Sequence, residues 1–114
     1  MHELSIAMSL IEIIKDECQK NKVEKLKKVK LVVGQMAGIV PDSLQFGFEV
    51  VSEGTPAEGA ELEIEVKPIT ALCQECGANF VVTEFRFRCP QCQSLAVKKQ
   101  GGDELYIEYL ETLD

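Results

Sequence analysis

Two pairs of cysteines constrain this chain more than any other feature. Cys73 and Cys76 are separated by two residues, as are Cys89 and Cys92, and 12 residues lie between the pairs. Each pair forms a tight knuckle that points two thiolates at one metal, and a hairpin brings the two knuckles together. The spacing predicts one structural zinc ion with four sulfur ligands and no open position for catalysis.

Other uses of these cysteines are less compatible with the sequence. A rubredoxin-like iron site also takes four sulfurs, but its longer spacing and aromatic core are missing. A redox-active dithiol pair remains an alternative. Disulfides fit poorly, because the chain has five cysteines, an odd number. The fifth, Cys18, falls on the apolar face of a predicted helix, where a free cysteine behaves as a small hydrophobic residue.

Length, charge and hydropathy restrict the class of protein. The 114 residues suit one compact domain or a domain with a small appendage. No stretch approaches the roughly 20 apolar residues of a membrane span. The opening segment lacks the basic leader of a signal peptide, so we expect a cytoplasmic protein without membrane contact. The net charge is −7, although residues 68–100 carry +2. Nucleic-acid binding normally needs a dense basic surface, so we expect no nucleic-acid partner.

The hydrophobic pattern predicts an α+β fold with two helices packed on a small three-stranded mixed sheet and an inserted zinc-ribbon module. The predicted elements are a helix over 4–20, a strand over 26–33, a helix from Pro41 to near Gly54, a strand over 60–67 and a last strand over 105–113. Gly101-Gly102 marks a hinge. The domain prediction is therefore 1–68 plus 101–114 for the α/β domain and 69–100 for the zinc-binding ribbon.

The same pattern assigns side chains to faces. The apolar face of the first helix comprises Leu4, Ala7, Met8, Ile11, Ile14 and Cys18. In the 60–67 strand, the core positions are Ala60, Leu62, Ile64 and Val66. Within the cysteine module, Val81-Val82 and Phe85 to Phe87 are candidates for short strands. Asp42, next to Pro41, is expected to cap the second helix.

His2 is the only histidine, and it follows Met1 directly. A free amine, one or two backbone amides and the imidazole would form a nitrogen-rich set of the kind that suits Ni(II) or Cu(II). The alternative is a frayed terminus with a histidine that binds nothing. The residues alone leave both open.

The chain resembles the HypA/HybF family of nickel metallochaperones for [NiFe] hydrogenase maturation. The resemblance rests on the opening Met1-His2-Glu3-Leu4-Ser5, the segment from Val40 to Phe48 (VPDSLQFGF), Glu53-Gly54-Thr55 and the paired cysteine knuckles. It covers essentially the whole chain in the same order. It implies a nickel-binding α/β domain with Ni2+ as transient cargo and a separate domain with one structural Zn2+ per chain.

The resemblance also implies site residues and partners. His2 would be the key nickel ligand, assisted by main-chain nitrogens near Glu3. In some members a carboxylate before the second helix is associated with nickel; Asp42 is the nearest candidate, although Val40 occupies the expected register. The implied partners are a HypB-type GTPase and the [NiFe] hydrogenase large subunit; some relatives serve urease. A monomer and a homodimer are both compatible with the sequence.

Two other functions are alternatives to a nickel carrier. A zinc-ribbon module that binds protein or nucleic acid is the alternative, and the acidic balance argues against its nucleic-acid form. An enzyme is disfavoured, because the sequence contains no nucleophile–base signature and no phosphate loop of the form G-x4-G-K-[ST]. GTP hydrolysis would therefore have to come from a partner.

Overall fold

The structure is a computed structural model that describes the backbone of residues 2–113 and the side chains of residues 3–113. The elements are α1 (His2–Lys20), β1 (Leu26–Gly34), a 3-10 turn (Gln35–Ala37), α2 (Pro41–Ser52), β2 (Glu61–Lys67), β3 (Ile69–Cys73), β4 (Asn79–Val82), β5 (Val97–Gly101) and β6 (Leu105–Thr112). Two three-stranded sheets form, in the orders β2-β1-β6 and β4-β3-β5. The α+β prediction with two helices, a small mixed sheet and a cysteine ribbon is confirmed.

The described chain forms two compact units. The first holds the residues up to Leu31, Ile39–Glu65 and the residues from Ile107 onward. The second holds Val32–Gly38 and Val66–Tyr106. In the part of the chain that the structure covers, no helix is both long and apolar enough to span a membrane.

The core of the first unit lies where α1 and α2 pack against each other, and β1 adds further buried residues to the unit. Its fully buried side chains include Ala7, Ile14, Val29, Leu31 and Leu44. Cys18 is 3% exposed, as expected for a core residue, and burial raises the pKa of its thiol. Burial of these apolar side chains is the main force that holds the unit together.

Some predicted core positions are wrong. Leu4 and Met8 are 39% and 55% exposed, and Leu10 is buried instead. The buried face of α1 is therefore rotated toward Leu10 relative to the sequence pattern, and Leu4 and Met8 lie at its solvent-exposed edge. In β2, Leu62 is buried but Val66 is 50% exposed. Alternation predicts a face correctly, whereas burial depends on what covers that face.

Lysines and glutamates bind each other across the β2-β1-β6 sheet. Lys30 Nζ lies 3.3 Å from Glu63 Oε2, 3.2 Å from Glu65 Oε1 and 3.5 Å from Glu108 Oε1. Lys28 also pairs with Glu63. Hydrogen bonds from Lys28 and Lys30 hold the pKa of the Glu63 carboxyl below its usual range, and hydrogen bonds to Glu65 and Glu63 raise the pKa of Lys30.

This network predicts a loss of stability in acid. The lowered pKa means that Glu63 stabilises the fold above its unfolded pKa, about 4.3, and loses that contribution as pH falls through the lower, folded pKa. We expect Glu63→Gln to flatten the decline of the thermal midpoint between pH 7 and pH 3. Glu49→Gln is the control, because Glu49 forms no ion pair with any residue from 3 to 113. An unchanged pH profile in Glu63→Gln would contradict this account.

The second unit is built around an antiparallel sheet in which β3 pairs with β4 and β5. Ile69, Ala71 and Val82 form its core, with Phe80, Phe87 and Val97 packed against them. Gly102, at φ 117°, is required here, because a Cβ would lie 2.7 Å from the Cα of Ile69. Gly101 and Gly102, marked as a hinge by the sequence, thus form the end of β5 and a closely packed turn.

The predicted strand over Phe85 to Phe87 is wrong. Thr83 to Arg86 form a tight turn, in which the N–H of Arg86 donates to the carbonyl of Thr83 at 3.0 Å. Glu84 and Phe85 both adopt left-handed backbone angles, φ 53° and φ 56°. The chain therefore reverses where the aromatic pattern indicated an extended strand.

Candidate metal centres

The first cysteine knuckle begins where β3 ends. Cys73 is the last residue of β3, and its carbonyl accepts the N–H of Gly77 at 3.0 Å. Gly77 has φ 79°, a left-handed angle that glycine adopts without strain. The N–H of Cys76 lies 3.4 Å from the Sγ of Cys73. The glycine thus lets the chain turn while both thiols of the pair stay on the same side.

The second knuckle repeats this geometry. The carbonyl of Cys89 accepts the N–H of Gln93 at 2.9 Å, and the N–H of Cys89 donates to Ser94 at 3.0 Å. Gln93 has φ 65° and holds the position that Gly77 holds in the first knuckle. Sequence reasoning missed Gln93, because the left-handed residue here is not glycine.

The four sulfur atoms converge as the spacing predicts. Cys73 Sγ lies 3.5 Å from Cys92 Sγ, and Cys76 Sγ lies 3.5 Å from Cys89 Sγ. All four sulfurs lie within 4.8 Å of one another. A zinc ion bound tetrahedrally at about 2.3 Å from each sulfur would place the sulfurs about 3.8 Å apart. The set therefore fits zinc with little movement, and these four cysteines form a zinc-binding site.

Hydrogen bonds from the backbone and between the thiols divide the four cysteines into two types, with lowered and with raised pKa. N–H groups at Cys76 and Glu75 lower the pKa of Cys73 to about 6, and those at Cys92 and Gln91 lower the pKa of Cys89. For Cys92, the N–H of Ser94 also lowers the pKa, but the neighbouring thiols outweigh it and raise the value to about 12. The first cysteine of each knuckle thus favours the thiolate form, and a bound metal displaces the protons that the other two retain.

Burial matches a structural role for this metal. Cys73 and Cys89 are 1% and 0% exposed, whereas Cys76 and Cys92 lie at the surface. Four thiolates complete the usual tetrahedral shell of zinc and leave no position for substrate. When bound, zinc would join the two knuckles and close the end of the β4-β3-β5 sheet.

The N-terminal candidate site lies at the start of α1. The helix begins at His2, but the imidazole lies outside the described side chains, so its role as a nickel ligand stays a prediction. The first four N–H groups of any α-helix have no acceptor within the helix. Main-chain nitrogens at His2 and Glu3 are therefore not needed for helical hydrogen bonds.

Glu3 connects the start of α1 to the start of α2. Its side chain is 9% exposed, and its Oε2 accepts the N–H of Val40 at 3.2 Å. Val40 is the N-cap of α2, and its own side chain provides no capping hydrogen bond. In a capping box, a glutamate of the same helix accepts this N–H. Here Glu3 supplies it from another helix, which fixes the first turn of α1 beside residue 40.

The expected capping role of Asp42 is wrong. Asp42 is the second residue of α2 and stands in its first turn, one residue after Pro41. A carboxylate there still stabilises the helix, because its negative charge lies near the positive end of the helix dipole. Sequence reasoning missed that Glu3 contacts the α2 N-cap, because the two residues are 37 positions apart and no local pattern relates them.

Replacing Glu3 with alanine is expected to destabilise the first unit. A buried, charged acceptor is lost, and the N–H of Val40 is left without it, which costs roughly 1–3 kcal/mol. The thermal midpoint should fall by roughly 5–15 °C. Glu3→Gln keeps an oxygen acceptor, so its thermal midpoint should fall less. Glu17→Ala, at an exposed position of the same helix, is the control. Equal midpoints for Glu3→Ala and Glu17→Ala would contradict this role.

Comparisons with known proteins cover both candidate centres. A family model described as hydrogenase/urease nickel incorporation, metallochaperone, HypA, matches residues 1–112. A hydrogenase maturation factor HypA from Lawsonia intracellularis is 42% identical over 116 residues, covering 97% of this chain and 98% of the relative. One from Caldanaerobacter subterraneus is 40% identical over 113 residues, covering 97% and 98%.

Solved structures give the same fold. A solution structure of a HypA protein has a TM-score of 0.72 and 26% identity, covering 99% of this chain and 97% of the other. The solution structure of the Ni metallochaperone HypA from Helicobacter pylori has a TM-score of 0.66 and 24% identity, covering 97% of each chain. The second likeness shows the fold alone. On its family match and its curated relatives, the chain belongs to the HypA family of metallochaperones for nickel incorporation into hydrogenase and urease.

Proposed function

We propose that this chain binds one Ni(II) ion at its N-terminus and carries it to a [NiFe] hydrogenase during maturation. The observation that carries the proposal is the family match, which extends over residues 1–112 and so includes His2. The zinc site supports it indirectly: four thiolates complete that shell, so the cargo needs ligands elsewhere. His2 is the only histidine of the chain.

The ligands we propose are the His2 imidazole and main-chain nitrogens at or near Glu3. Nitrogen-rich, square-planar sets suit Ni(II). The Glu3–Val40 hydrogen bond supports this site, because it holds the first turn of α1 in place without using the backbone nitrogens. A histidine titrates near neutral pH, so protonation of His2 would favour release of the ion.

Partners follow from what the chain itself lacks. We propose that a HypB-type GTPase supplies nucleotide hydrolysis, since the sequence contains no phosphate loop. The recipient would be the hydrogenase large subunit. We propose a carrier rather than an enzyme, acting in the cytoplasm, where thiols remain reduced for zinc. A monomer and a homodimer both remain compatible with this role.

We also propose that two domains bind different metals: residues 1–68 plus 101–114 bind nickel, and residues 69–100 bind zinc. The compact units have somewhat different bounds, since Val32–Gly38, residues 66–68 and residues 101–106 join the cysteine-bearing unit. Compactness and independent folding are different properties, so amide hydrogen exchange is the test of the proposed boundary.

Metal analysis followed by nickel titration tests the function. We expect the purified protein to hold one zinc tightly and to bind one further equivalent of nickel, measured by calorimetry, without loss of zinc. Nickel should leave when EDTA is added briefly, while zinc stays. Binding of nickel only in exchange for zinc would contradict a separate cargo site.

A further inference from the structure

An exposed aromatic side chain stands at a tight turn in the cysteine-bearing unit. Phe85 is 59% exposed and has φ 56°, and Glu84 before it has φ 53°. Two successive left-handed residues define a type I′ turn, in which asparagine and glycine are strongly preferred. Positive φ is unfavourable for a bulky side chain. Fold stability therefore does not account for Phe85 at this position, and strained residues are often retained for function.

A cavity of about 230 Å³ adjoins this turn: Thr83 and Arg86, at the two ends of the turn, line it, whereas Phe85 lies outside its lining. Its walls combine an apolar surface, two hydrogen-bonding side chains and two cations: Val81, Pro90, Thr83, Gln93, Arg86 and Arg88. Val81 is 53% exposed although it lies in β4. The cavity thus presents apolar and cationic surface side by side, which is the composition expected where an amphipathic segment binds.

The two arginines are available to a ligand. Arg88 is exposed and forms no ion pair with any residue from 3 to 113. Arg86 pairs with Glu84 at 3.4 Å, and both side chains are more than three-quarters exposed. Exposed pairs of this kind contribute little to stability. Arg86 can therefore exchange Glu84 for a carboxylate of a ligand, and guanidinium groups bind carboxylates in bidentate fashion.

We propose that Phe85 and this cavity bind an acidic segment of a partner protein that also carries an apolar side chain. Carboxylates of the segment meet Arg86 and Arg88, and its apolar side chain packs against Phe85 and Val81. Charge complementarity selects this occupant. A nucleic acid fits less well, because two arginines would neutralise only two phosphates of a polyanion, whereas they match two carboxylates of a short acidic segment. The site is independent of nickel binding at the N-terminus.

A second role for the arginines has to be separated from this one. A zinc ion with four thiolates carries a net charge of −2, and Arg88 immediately precedes the ligand Cys89. Arginines that only neutralise this cluster would stabilise zinc binding and leave peptide affinity unaffected. Zinc retention and peptide affinity must therefore be measured on the same variants.

The test is an NMR titration of the zinc-loaded, isotope-labelled protein with a capped pentapeptide, Asp-Glu-Leu-Glu-Asp. We expect saturable shifts confined to residues 80–93 and no such shifts with the neutral peptide Asn-Gln-Leu-Gln-Asn. Arg88→Gln should weaken binding about tenfold, as for loss of a charged hydrogen bond. Glu84→Gln should tighten binding, because it frees Arg86. Lys15→Gln, on α1, is the control and should change nothing.

Phe85→Gly separates binding from folding. Glycine tolerates the left-handed angle, so this variant should unfold at a higher temperature yet bind the peptide several-fold more weakly. The proposal is overturned if the peptide shifts the NMR signals of residues elsewhere, or if it binds Phe85→Gly with unchanged affinity. It is also overturned if Arg88→Gln loses zinc but not peptide affinity, or if a ten-nucleotide poly-dT strand binds the cavity more tightly than the peptide.

Discussion

His2→Ala is expected to lower nickel affinity on the order of 100-fold or more while zinc content stays at one ion. His2 is the only imidazole in the chain. Without it, the proposed site loses its imidazole and retains only main-chain nitrogens. Calorimetric titration of both proteins at pH 7.5 measures the difference.

Ser5→Ala is the matched control for this change. Ser5 is exposed in the same first turns of α1, and the substitution preserves the helix. It should bind nickel as the unaltered protein does. Nickel affinity should also fall below about pH 6.5, where the free imidazole becomes protonated. Equal nickel affinity in His2→Ala and Ser5→Ala would rule out the N-terminal site.

Cys89→Ser is expected to abolish tight zinc binding and to unfold the cysteine ribbon. Cys89 is fully buried, and its sulfur lies 3.5 Å from that of Cys76. Structural zinc contributes about 10–16 kcal/mol of apparent binding free energy in small zinc modules, more than a small apolar core provides. The core of this ribbon is Ile69, Ala71 and Val82 with three partly buried neighbours.

Amide hydrogen exchange measures where protection is lost. In Cys89→Ser, Ile69–Cys73 and Asn79–Val82 should exchange rapidly, while α1 and α2 stay protected. Cys18→Ala is the control: Cys18 is also a buried cysteine, but it lies in the helical core, so this variant should lose some stability and keep its zinc. Loss of protection in α1 together with the ribbon would contradict two independently folding domains.

The features predicted correctly from the sequence depend on short spacings. The C-x2-C pairs fix the two knuckles, and the alternation of apolar and charged residues over 60–67 locates β2. Helix α1 follows from its 3.6-residue period, and the predicted start lies within two residues of the observed one. In each case the pattern is formed by residues that are close together in the sequence.

The misses have physical causes outside the local pattern. Strand β5 contains Lys98, Lys99 and Gln100, so it has no apolar alternation and forms only because β3 offers it a hydrogen-bonding edge. Phe85 looked like a strand residue, but its left-handed angle belongs to a turn. The Glu3–Val40 hydrogen bond depends on how two helices meet, which no single segment encodes.

The central claim is that two chemically different metal centres serve two purposes: four sulfurs hold a structural zinc, and nitrogen ligands at His2 hold exchangeable nickel. X-ray absorption of the protein loaded with both metals tests it most directly. We predict a zinc shell of four sulfurs at about 2.3 Å and a nickel shell of nitrogen and oxygen atoms with imidazole scattering. Sulfur in the nickel shell, or fewer than four sulfurs around zinc, would contradict this account.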